Sequence, residues 1–216
     1  MSKSYRQLVL CPQNPQWIPA ARDVSSTGLI KLEQVLRSLG LIADQVDATQ
    51  RGRFYIGEQF LQHISFMGCA PALEFQPTGE RSLIGEPDWQ QFTFVHIPPV
   101  LDEPGWYADL SMAKPQCPEC TRRSALSGDK QVNYFDEFKY HYCCPHCQQK
   151  TKVCEVNWRE FGGCARVMIS IVNVYPKEAI PTENLLLQLE KQTQIAWRYF
   201  YYDGSLMNLN DKKLNA

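Results

Sequence analysis

The chain of 216 residues predicts an α+β fold, a mixed sheet with two or three helices interrupted by a small cysteine-bearing β-hairpin module. Three observations carry that prediction. Leu29, Leu32, Val35, Leu36 and Leu39 recur at three- and four-residue intervals, the spacing of one apolar stripe on a helix. Val167, Ile169, Ile171 and Val172 form the β-branched run of a strand over 165–175. Pro181-Thr182 then opens a helix carrying Leu185, Leu186 and Leu189, and an aromatic strand over 197–202 follows it.

Each element has a local reason. Residues 5–11 read as the first strand, ended by Pro12 and Pro15, since proline removes a backbone donor. Ser25, Ser26 or Thr27 can cap the 29–39 helix, and Gly40 can end it. Ile56, Phe60, Ile64 and Met67 predict a second amphipathic helix over 55–67, with Gly68 as its stop. Strands are expected at 73–75 and 91–97, and Pro98, Pro99 and Pro104 then mark a boundary. Residues 153–156 and 165–175 read as strands, with Gly162-Gly163 as the turn between them. Thr182 is the expected cap of the last helix, and Asp203-Gly204 a turn after the last strand.

The simplest organisation has residues 1–112 and 152–204 sharing one core, with 113–151 inserted and 205–216 a polar tail. The 65 residues after Thr151 make a thin core on their own. With 44% hydrophobic and 12% aromatic residues the chain can fill that core, which excludes wholesale disorder. A formal charge of −1 exerts no global pull on nucleic acid or an anionic membrane. The first residues lack the apolar run of a secretory signal, and no stretch approaches the roughly 18 apolar residues needed to span a bilayer. A cytoplasmic protein away from membranes is therefore expected. In that setting nine cysteines imply reduced thiols and metal ligation, not a disulfide framework. Cys11, Cys154 and Cys164 follow apolar strand patterns and read as core.

The chemistry concentrates in Cys117-Pro-Glu-Cys120 and Cys143-Cys144-Pro-His-Cys147, with 23 residues between Cys120 and Cys144. Cys117, Cys120, Cys144 and Cys147 make two pairs at two-residue spacing, which a short hairpin can bring to one centre. Four thiolates so arranged suit tetrahedral zinc. Inner backbone amides can hydrogen-bond the sulfurs, and proline after the first cysteine stiffens each turn. Cys143 competes with Cys144 for the third position, but the two-residue gap to Cys147 favours Cys144. His141 and His146 stand as reserve nitrogen ligands.

On these residues, 117–147 resembles the zinc-ribbon and rubredoxin-like knuckle family, in which two Cys-Pro-x-Cys turns at hairpin tips clamp one metal. The resemblance implies structural zinc, or an electron carrier where iron fills the cage. That family commonly has glycine just after the second cysteine of each knuckle; Thr121 and Gln148 stand there instead.

Other chemistry is sparser. Residues 114–152 hold seven basic side chains against four acidic ones, and a zinc tetrathiolate of about −2 brings the net +3 to near +1. Tyr134, Phe138, Tyr140 and Tyr142 share strand parity, suiting either base stacking or packing of the small module. Cys69 with His63 or His96 would make a nucleophile and base if the fold joined them. No phosphate loop, dinucleotide fingerprint or His-Glu-x-x-His helix is present. The expected function is that of a non-enzymatic, zinc-containing binding or adaptor protein with a protein partner. An iron electron carrier, a nucleic-acid-binding ribbon and a Cys69-based enzyme stay open.

Overall fold

Eight-residue complementarity between two distant segments sets the frame of the molecule. A computed structural model describes residues 4–19, 27–46, 52–67, 92–126 and 141–205. The elements run β1 (Tyr5–Pro12), α1 (Thr27–Ser38), β2 (Ile42–Gln45), β3 (Arg53–Ile56), α2 (Phe60–His63), β4 (Ile64–Phe66), β5 (Phe94–His96) and β6 (Gly105–Ala108). They continue with β7 (His141–Cys143), β8 (Lys150–Lys152), β9 (Gly162–Ala165), β10 (Ile169–Val172), β11 (Ala179–Pro181), α3 (Glu183–Thr193) and β12 (Trp197–Gly204). A six-stranded sheet has the order β12-β1-β10-β5-β3-β2, antiparallel at every pair. The α+β class stands. β1 lies between β10 and β12, so segments from both sides of the cysteine clusters share one sheet.

Strand alternation divides the side chains between two faces. One face sends Leu8, Leu10, Phe54, Ile56, Ile169 and Ile171 into the main core, where Leu32 and Leu36 of α1 and Leu185 and Leu189 of α3 meet them. The other places Val9, Cys11 and Phe200 against Ala165 and Met168, beneath the β6–β9 ribbon. A Cβ on Gly163 would press into the Phe200 ring, so glycine is what lets β9 lie this close.

Several expectations hold and several are corrected. Helix α1 ends as anticipated, with Gly40 at φ 63°; Ser25 and Ser26 lie outside the described residues. Thr182 caps α3, its hydroxyl accepting from the Leu185 amide at 3.2 Å. The helix expected over 55–67 is instead the end of β3, a single helical turn and β4. Ile56 and Ile64 both reach the main core from extended backbone, because β3 pairs with β2 and β5 while β4 pairs with β11. An apolar spacing of four cannot by itself separate those geometries.

The 165–175 run is likewise split. β9 pairs with β6 and β10 with β1 and β5, while between them the Arg166 amide donates to Pro15 O and its guanidinium to Leu101 O. Gly162-Gly163 therefore sits in a strand and is not a turn. Residues 153–155 form a 3-10 turn where a strand was expected. Among the described residues 92–97 of the expected 91–97 strand, Phe94–His96 forms, and β12 continues through Asp203-Gly204 to pair with Tyr5 and Arg6. The strand expected at 73–75 falls outside the described residues.

Candidate metal centre

Each cysteine pair sits at the tip of a short antiparallel arm. Gln116 bridges Arg123 around the first pair, and the β7–β8 hairpin brackets the second, with Cys143 opposite Lys150. The two tips share one hydrogen-bond pattern. The Thr121 amide donates to Cys117 O at 3.0 Å and the Cys117 amide to Arg122 O at 3.0 Å. Correspondingly, Gln148 N donates to Cys144 O at 2.9 Å and Cys144 N to Gln149 O at 3.0 Å. Thr121 and Gln148 both take the left-handed conformation, with φ 57° and 60°. The backbone thus forms the knuckle turn even where glycine is missing.

The turns bring the Sγ atoms of Cys117, Cys120, Cys144 and Cys147 within 4.8 Å of one another. Cys117 Sγ is 3.7 Å from Cys147 Sγ, and Cys120 Sγ is 3.7 Å from Cys144 Sγ. A regular tetrahedron with metal–sulfur bonds of about 2.3 Å has edges of about 3.8 Å. The donor set therefore fits a tetrahedral, sulfur-binding metal in both chemistry and size. Cys144 is the member of the cluster; Cys143 directs its thiol to Gln148 O at 3.7 Å. His146 is also turned away, its Nε2 lying 3.3 Å from Arg123 O.

Crowding has a clear electrostatic result. Burial pushes the Cys144 thiol up, but the amides of Cys147 and His146 and the sulfurs of Cys120 and Cys147 outweigh it and bring it down to about 7. At Cys147 the Gln149 amide acts downward, yet desolvation and the sulfurs of Cys144, Cys120 and Cys117 leave it pushed up to about 12. Neighbouring thiols resist joint ionisation, and a divalent cation removes that conflict.

Behind the cage lies a second core. Cys117 and Cys144 pack with Ala113, Tyr142, Val153, Val156, Trp158 and Cys164. Trp158 anchors it, with Trp106 at 5.1 Å and Tyr142 at 5.9 Å between ring centroids and its Nε1 donating to Val153 O at 2.6 Å. Tyr142 is thus a packing residue; Tyr134, Phe138 and Tyr140 lie outside the described residues. Cys154 and Cys164 are joined in a disulfide, Cα atoms 5.3 Å apart, which corrects their reading as independent core thiols. No sequence signal distinguishes that pair, since both positions look equally apolar and their approach depends on how β9 folds back.

The other candidates named from the sequence are His63 and His96. His63 is buried, its Nε2 2.7 Å from Leu39 O. His96 is buried in β5 between Arg53 and Ser170, and Val95 beside it points to the main core, so His96 faces the opposite side of the sheet. Cys69, the thiol either would need, lies outside the described residues. No described helix is long and apolar enough to cross a membrane. Comparison with protein-family models, curated proteins and solved structures finds no match to this chain.

Proposed function

We propose that Cys117, Cys120, Cys144 and Cys147 hold a structural zinc ion, and that the chain is a non-enzymatic binding or adaptor protein whose working surface this clamp shapes. The observation that carries the reading is closure of the cage. Four sulfurs within 4.8 Å of one another, two pairs of them at 3.7 Å, would fill a tetrahedral coordination sphere and leave no position for water or substrate. Residues 113–151 on this reading are an inserted module, seated through the Trp158 core on the sheet shared by 1–112 and 152–204. Four thiolates kept for metal ligation suit a reducing compartment such as the cytoplasm, where the Cys154–Cys164 disulfide would need an oxidising step to form.

Substituting serine for any one of the four cysteines should lower zinc below one per chain and destabilise the module. Elemental analysis with thermal denaturation measures both, and full zinc stoichiometry in these variants would refute the assignment. An iron-loaded tetrathiolate is coloured, so the absorption spectrum of the purified protein separates the electron-carrier alternative.

A further inference from the structure

We propose that the exposed surface of the paired knuckles binds the phosphate backbone of a nucleic acid, independently of base sequence; this rests on the structural-metal reading above. The paired arms present Lys114, Arg122, Arg123, Lys150 and Lys152, all exposed. None of the five makes an ion pair among the described residues, whose ion-paired cations include Arg6, Arg37 and Lys177. Within 113–126 and 141–152 the only carboxylate opposing them is Glu119. Even a zinc tetrathiolate of about −2 leaves that surface positive.

Placement makes the charge a surface and not a tally. The two knuckles have equivalent backbones, and the sixth residue after the leading cysteine is Arg123 in one and Lys150 in the other. Sulfur contacts of 3.7 Å and the His146 ring against Arg123 O hold the tips together. Thr151 is buried between Lys150 and Lys152, so β8 turns both lysines to the same open side. Metal binding therefore joins two basic pairs that are far apart in the chain.

The chemistry of the surface selects the partner. Protein interfaces centre on aromatic and apolar anchors, but Tyr142 and Trp158 are buried in the second core. Exposed on the knuckles are five ammonium and guanidinium groups, the amides of Gln148 and Gln149, the His146 ring and one carboxylate, Glu119. Arginine pairs with phosphate through two parallel hydrogen bonds and lysine as a point charge. Contacts made by ammonium and guanidinium groups go to the phosphate backbone and carry no sequence information.

The test uses the intact protein and a fluorescein-labelled single-stranded DNA oligonucleotide, followed by anisotropy. Affinity should fall roughly 100-fold between about 50 and 200 mM salt, as expected for four or five phosphate contacts, and a scrambled oligonucleotide should bind equally. Replacing Arg122, Arg123, Lys150 and Lys152 together by glutamine should weaken binding at low salt by at least roughly 10-fold and flatten the salt dependence. Undiminished binding by that variant would overturn the proposal. So would displacement of the DNA by poly-glutamate at equal charge concentration, which would assign the surface to acidic polypeptides. Metal content is measured on the same samples. Protein without metal overturns the structural-metal reading and this surface with it, whereas one metal per chain without DNA binding overturns this surface alone.

Discussion

Thr121 and Gln148 occupy backbone conformations that favour glycine, at φ 57° and 60°. Each costs on the order of 1 kcal/mol or more, with the β-branched Thr121 the more strained. The turns hold because the amide of each residue is committed to a cysteine carbonyl four residues back, and metal ligation would stabilise the same geometry. His96 shows burial acting on charge in place of conformation. Desolvation, then the neighbouring Arg53 charge, lowers it from 6.5 to about 4. The folded protein thus holds His96 neutral where the unfolded chain takes up a proton, so its contribution is complete above pH 6.5 and lost as pH falls towards 4. Between pH 7 and 5 the loss should be about 2 kcal/mol. Urea denaturation of the wild type and His96→Gln at both pH values measures it. The variant should show a smaller drop by about that amount, and equal drops would mean that His96 is not held neutral.

At the level of elements, the 3-10 turn at 153–155 and β9 are tied twice, by packing around Trp158 and by the Cys154–Cys164 disulfide. For a sequence separation of 10, cross-linking the unfolded chain is worth about 2–3 kcal/mol. Replacing both cysteines by alanine should lower stability by that amount while leaving metal content unchanged. Loss of metal in the double variant would show that the disulfide supports the cage directly. Elements defined by a long stripe or a strong cap were legible in advance, as at Leu32 and Leu36 or at Thr182, because local spacing there decides the backbone. The four cage cysteines were legible for the same reason, since ligand spacing is local within each knuckle. The break at Arg166 was not, because carbonyls of Pro15 and Leu101 impose it from distant segments. Nor was β4, whose partner β11 begins at Ala179. Cys154 and Cys164 meet because a 3-10 turn and β9 replace the expected strand and turn, a change that apolar spacing does not reveal.

Across the whole molecule the main core and the Trp158 core are distinct clusters that share Phe161 at their margin. Metal removal should therefore act locally. After treatment with a zinc chelator, amides of residues 116–123 and 142–152 should lose hydrogen-exchange protection, while those of β1, β10 and β12 keep it. Loss of protection throughout the sheet would instead show one cooperative unit. The pairing of β1 with β10 and β12 sets a further condition, on the order of assembly during synthesis. β1 is made early, yet both of its neighbours lie beyond residue 168. While the chain is still being translated, an apolar strand ending in Leu8, Val9, Leu10 and Cys11 waits without a sheet. The knuckles close over a much shorter span of chain, and their four sulfurs can meet before that wait ends. A ribosome-bound chain could thus carry a closed cysteine hairpin while β1 still depends on chaperones or on how soon β10 and β12 are translated.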